Sequence, residues 1–150
     1  ETNSGTGKMI SVVLKGLKFY SQGCNGFADI RDVVAIMTRL AESEIIGERF
    51  IVSAETLTYK KIFTMIAAET GKTPPAYKAN LLMGQLAWRF SYVEGKLRGT
   101  KPLITRETAI TAGNTYLYSN NKIIETLKYQ FLPVELAIKD ACRFYLSNHS

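Results

Sequence analysis

The chain is poor in the residues that build metal and redox sites. It has one histidine, His149, and two cysteines, Cys24 and Cys142, among 150 residues. One imidazole beside two distant thiols supplies no spacing for a metal centre. The thiols are too sparse for a disulfide framework and read as reduced. No apolar run approaches the roughly 18 residues a membrane-crossing helix needs. The polar start, Glu1-Thr-Asn-Ser-Gly-Thr-Gly7, carries neither the basic head nor the apolar stretch of a secretory signal. A cytoplasmic protein with no membrane contact is expected. The chain begins with Glu1 instead of Met, which reads as a processed or cut chain.

What is present points to one globular domain. The composition is 46% hydrophobic and 11% aromatic, enough for a sizeable core at this length. The net charge of +6 comes from 19 Lys and Arg against 13 Asp and Glu. These cations are scattered, with Lys60-Lys61 as an adjacent pair and no arginine-rich run. A solvated basic surface is expected, with no nucleic-acid partner.

The segment Gly26 to Glu55 organises the rest. Gly26 to Asp32 reads as a strand turning into a helix, with the Asp32 carboxylate as its N-terminal cap. Val33, Ile36, Met37, Leu40 and Ala41 give that helix a buried face. After Gly47, the apolar run Phe50-Ile51-Val52 reads as a strand covered on both sides, completing a βαβ-sized unit.

Around it, Lys8 to Leu17 reads as an amphipathic helix, and Phe19 to Gly26 as a loop. Gly5-Thr-Gly7-Lys8 fails as a phosphate loop, because Thr2 stands where its first glycine belongs and Met9 follows the lysine. Thr58 caps a helix carrying Ile62, Phe63, Ile66 and Ala67, ended by Gly71 before Pro74-Pro75. Further helices are expected from Ala79 to Leu97, with Trp88 in the core, and from Thr105 to Ala112. Thr115 to Tyr118 resembles a brief strand, and Ser119-Asn-Asn121 leads into a helix with Ile123, Ile124 and Leu127. Pro133 opens a last helix with a regular stripe of Val134, Ala137, Ile138, Ala141, Cys142 and Tyr145. The sum is a helix-rich α+β fold with two or three short strands.

Several of these stretches together resemble a known family. They are Phe27-Ala-Asp-Ile-Arg-Asp32-Val-Val-Ala, Gly47-Glu-Arg-Phe-Ile-Val-Ser, and Thr58-Tyr-Lys-Lys-Ile-Phe. Toward the end come Tyr118-Ser-Asn-Asn-Lys122, Leu127-Lys-Tyr129 and Leu132-Pro-Val-Glu-Leu-Ala-Ile138. In this order they resemble the C-terminal half of extended short-chain dehydrogenases/reductases, the NAD-dependent epimerase/dehydratase family with its dihydroflavonol-reductase-like branch. The resemblance spans about Ser4 to Tyr145. It implies the substrate-binding portion of an NAD(P)-dependent reductase or epimerase acting on a carbonyl or hydroxyl of a small molecule. Phe50-Ile-Val-Ser is then a late strand of a nucleotide-binding Rossmann sheet whose other strands lie outside these 150 residues.

The same resemblance points to Ser4, Lys8, Asn25 and Phe27 as substrate-binding positions. NAD or NADP belongs to the full-length protein, and none is expected to bind this chain, whose sequence lacks the Gly-rich dinucleotide turn. Two Tyr-x-x-x-Lys pairs occur, Tyr92 with Lys96 and Tyr118 with Lys122, both downstream of the central unit where the family's catalytic pair lies upstream. Neither is expected to be catalytic. In nucleotide-sugar epimerases an arginine just ahead of the Phe27 strand holds the diphosphate. Asn25 and Gly26 stand there, which favours a carbonyl reductase. The alternatives are a nucleotide-sugar epimerase or dehydratase, and a non-catalytic helical binding module. An apolar strand cut from its neighbours is also a template for self-association, expected around residues 49–54.

Overall fold

The computed structural model describes residues 5–79 and 113–148. In chain order these form α1 (Gly5–Leu14), β1 (Phe19–Tyr20), β2 (Cys24–Phe27), α2 (Ile30–Ala41), β3 (Glu55–Thr58), α3 (Tyr59–Thr70), β4 (Tyr77–Lys78), α4 (Asn121–Leu127) and α5 (Val134–Ser147). The fold is helix-rich α+β. Its strands make two small sheets, β2 antiparallel to β3 and β1 parallel to β4. The helices expected from Ala79 to Leu97 and from Thr105 to Ala112 lie outside the described residues, apart from Ala79, whose N–H donates to the Tyr20 carbonyl.

The core is a three-helix contact closed by one strand. Ile10 and Val13 of α1, Ile62, Ile66 and Ala67 of α3, and Val134, Ile138 and Cys142 of α5 bury together with Leu57 of β3. Each such aliphatic side chain contributes roughly 1.5–3 kcal/mol on full burial. The expected α5 stripe is borne out, with Ala141 and Tyr145 packed on its margins. Burial and the nearby Glu69 carboxylate push the Cys142 thiol up to about 11, which keeps it protonated. Both cysteines are free and buried.

The local end signals of α3 hold. The Thr58 hydroxyl accepts from the Lys61 N–H at 3.2 Å, satisfying one of the free donors of the first turn. At the other end Gly71 is left-handed, φ +64°, so that its own N–H and that of Lys72 return to carbonyls of the last turn.

The central unit departs from expectation in four ways. The cap of α2 is Asp29, not Asp32: its carboxylate accepts from the Arg31 N–H at 2.8 Å. Asp32 instead lies buried, where Oδ1 accepts from the Tyr129 hydroxyl at 2.8 Å and Oδ2 from the Leu132 N–H at 3.2 Å. Second, among the described residues Phe50-Ile51-Val52 pairs in no ladder. The strand that returns to β2 is Glu55–Thr58, and it runs antiparallel, so the unit is not a βαβ crossover. Third, Met37 and Ala41 face solvent, while Ile36 carries the buried side. Fourth, the presumed loop after Phe19 holds β1 and begins β2. Thr115 makes a single bridge to Cys24, less than the strand expected over 115–118.

A long-range cap completes the frame. Pro133 has no side-chain donor or acceptor for the start of α5. The Glu55 carboxylate fills that place, accepting from the Val134 N–H at 3.0 Å. A negative group there also meets the positive end of the helix dipole.

Replacing Asp32 with Ala leaves a hydroxyl and a backbone N–H without their acceptor. Chemical denaturation is expected to show a loss of roughly 2–4 kcal/mol, and a loss below about 1 kcal/mol would contradict the anchoring role. The Tyr129 phenol is raised above its ordinary value, by burial first and by Asp32 second. A raised folded-state value gives stability that is present below the unfolded value and lost as pH rises past it. The Tyr129→Phe protein should therefore show a flatter stability profile above about pH 10.

Candidate functional site

An open groove of about 650 Å³ lies between α1, α3, α5 and the start of α2. The buried core residues Ile10, Ile62, Ile66 and Ile138 lie at its floor, and its walls come from Met9 of α1 and Ala137, Ala141 and Phe144 of α5. The β2–α2 turn, Phe27 to Arg31, closes one end. The arrangement follows from local sequence. β2 delivers Phe27 at its last position, and the Asp29 cap turns the chain so that α2 leaves from the groove's edge.

Three charged groups occupy that edge. The Arg31 guanidinium donates to both oxygens of Asp29, at 3.0 and 2.6 Å, and reaches Asp140 of α5 at 2.9 Å. The Asp29 contact is two-pronged, the geometry in which arginine binds carboxylate best. It ties the start of α2 to the middle of α5. Those hydrogen bonds hold the Asp29 carboxyl below its ordinary value although burial pushes the other way, and the two acids raise Arg31 further above its usual range. One guanidinium against two carboxylates leaves the described lining residues at a net charge of −1. The rest is almost wholly apolar, with the Thr6 hydroxyl as a polar exception.

Of the four positions the resemblance assigns to substrate, Phe27 lines the groove. Lys8 is exposed on α1 and does not join the lining, and Asn25 turns its Oδ1 to the Gly26 N–H at 2.9 Å. Ser4 lies outside the described residues, as do Tyr92, Lys96, Trp88 and His149. The groove residues not read from the sequence are Asp29, Arg31 and Asp140. Asp29 and Arg31 carry a local signal, an acid at a helix start followed two residues later by a base. Nothing in the sequence joins them to Asp140.

A second cluster lies beside β2. A Cβ on Gly26 would sit 2.5 Å from the Ser53 hydroxyl oxygen and 2.8 Å from the Tyr118 ring. That position needs glycine because a strand, a buried serine and an aromatic ring meet there. Tyr118 stacks on Tyr116, and Asn120 donates to the Ser53 carbonyl at 2.7 Å. Lys122 is engaged by the Glu48 carboxylate and lies over the Phe50 ring at 4.9 Å. Among the described residues no group of acids, histidines and cysteines could hold a metal ion, and no helix is long and apolar enough to cross a membrane.

No family model matches the chain, and no curated protein matches it. Among solved structures it is similar to the crystal structure of gox2253, with a TM-score of 0.71 at 24% sequence identity. The likeness covers 98% of this chain and 44% of gox2253. At that identity the likeness is one of fold. The chain spans less than half the length of the structure it resembles.

The charged edge generates a pH signature. A depressed folded-state carboxyl contributes stability that is present above the unfolded value, ordinarily 3.8, and lost as pH falls through it. Thermal melts from pH 7 down to pH 3 should show the Asp29→Asn protein less stable at neutral pH and less sensitive to acid. An acid limb as steep as that of the parent chain would remove Asp29 from this role.

Proposed function

We propose that this chain is the substrate-binding part of a longer NAD(P)-dependent reductase or epimerase that acts on a carbonyl or hydroxyl of a small molecule. The observation that carries the reading is α2, whose one broad apolar face is covered only along one edge. Ile36 is fully buried, yet Ile30, Val34 and Met37 form an outer stripe left 71%, 57% and 63% exposed. A surface helix normally turns its apolar face to a core and its polar face outward. Phe50-Ile51-Val52 adds an apolar stretch with no ladder partner among the described residues, and Ile51 is 48% exposed. An uncovered helix face together with an unpaired apolar segment fits a missing sheet layer. In the resembled family that layer is the nicotinamide-binding Rossmann sheet, with Phe50 to Ser53 as one of its strands.

On this reading the groove is the substrate surface, with Phe27 at its end and the missing layer over its mouth. Ligand sites are common where two such parts meet. The order of the motifs and the fold shared with a protein more than twice as long support it. The cofactor is held by the other part, since the chain has no Gly-rich turn leading into a helix N-terminus. Without the covering layer, residues 49–54 are where the isolated chain pairs with a second copy.

Calorimetric titration of the 150-residue chain with NAD and with NADP should give no saturable heat, whereas the natural gene product should bind one of them. Micromolar cofactor binding by the chain alone, or a natural product without a dinucleotide-binding part, would overturn the proposal.

A further inference from the structure

We propose that residues 48–52 form a strap hinged at Gly47 and clasped by the ammonium of Lys122, whose charge decides whether the strap is held. The downstream end is fixed to the frame. The Ala54 N–H donates to the Phe27 carbonyl at 2.7 Å, and Asn120 donates to the Ser53 carbonyl at 2.7 Å. The buried Ser53 also fills the space that Gly26 leaves. The upstream end is a pivot. Gly47 is left-handed, φ +75°, with open space where a Cβ would stand, and Ile46 before it is 90% exposed. Between pivot and anchor, Lys122 makes two contacts with the strap. Its ammonium pairs with the Glu48 carboxylate and stands 4.9 Å from the centre of the Phe50 ring. The clasp stands on firm ground, because Ile123 beside it in α4 is fully buried. Lys122 and Glu48 are both about half exposed. An ion pair and a cation–π contact at such sites are each weak, and together they favour the held strap by on the order of tenfold. Removing one charge reverses a preference of that size. What the held strap meets rests on the preceding reading; the clasp itself does not.

The Arg49–Phe50 bond lies inside the strap, so trypsin reads its release. When opening is fast relative to cleavage, the cutting rate follows the population of the open form. In the monomeric 150-residue chain at low ionic strength, Lys122→Gln should raise the initial rate of this cut about tenfold. Lys122→Arg keeps the charge and the ring contact and should stay within about twofold of the parent. Lys128→Gln removes a charge from the other end of α4 and should leave the rate unchanged. Backbone order parameters over 48–52 should fall from near about 0.85 in the parent to below about 0.6 in Lys122→Gln. Salt at roughly 1 M, which screens the ion pair, should lower them in the parent and not in Lys122→Gln. An unchanged cutting rate in Lys122→Gln, or a Lys128→Gln protein cut equally fast, overturns the proposal. So does a rise shared by cuts elsewhere in the chain, which is loosening of the whole fold. Order parameters already low in the parent chain would mean that nothing is clasped. A held strap is preorganised for pairing, so its release should weaken self-association. Self-association that persists unchanged once the strap is released would instead count against residues 49–54 as the pairing segment and leave the clasp standing.

Discussion

The fold hangs on the carboxylate of Asp32. It sits in the first turn of α2, fully buried, and takes hydrogen bonds from a side chain and a backbone group about a hundred residues later, Tyr129 and Leu132. A buried carboxylate is tolerated only when such donors replace its water. These two bonds therefore set where the turn before α5 runs. Arg39 reinforces them, with its guanidinium 5.1 Å from the centre of the Tyr129 ring. Two residues beyond Leu132, the Glu55 carboxylate receives the first N–H of α5, and from that point Val134, Ile138 and Cys142 enter the core in register. Two acids of the central segment thus position the C-terminal helix, and through it one wall of the groove.

The same segment explains the groove's chemistry. α2 begins at Asp29, and the acid that caps it also holds Arg31, which reaches across to Asp140. One short stretch, Phe27 to Asp32, therefore ends β2, starts α2, braces α5 and anchors the 129–132 turn. Its charges are spent on one another. The groove that remains is apolar, with an acidic edge and no cation free of a carboxylate among the described lining residues.

Legibility from the sequence followed the range of the interactions. α3 could be read to the residue because Thr58 and Gly71 act within a turn of themselves, and α5 because its stripe is periodic. Asp32 was mistaken for the α2 cap because two aspartates stand three apart ahead of the same apolar run, and the partner that separates their roles lies at Tyr129. Phe50-Ile51-Val52 has the composition of a strand, but a ladder needs a second chain segment and the described residues provide none. β1 and β4 are two residues each, paired across 58 positions, Phe19 with Tyr77, which no local pattern announces. The site shows the same division. Phe27 was reached through resemblance, whereas the contact of Arg31 with Asp140 exists only in three dimensions. The outer stripe of α2 is only half legible: Met37 reads as part of the buried face, whereas Ile30 reads as part of the strand because the helix is expected to begin only after Asp32.

That half-covered apolar face of α2 is the point on which the functional reading turns, and amide hydrogen exchange addresses it directly. Exchange should be followed over residues 30–41 and 49–53 in the isolated 150-residue chain, at a concentration where it is monomeric, and in the natural gene product. If a further layer covers α2 and pairs with the 49–53 segment, those five positions exchange rapidly in the isolated chain and are protected in the natural product. Equal exchange in both would mean that nothing further covers the helix, and the chain would have to be understood as it stands.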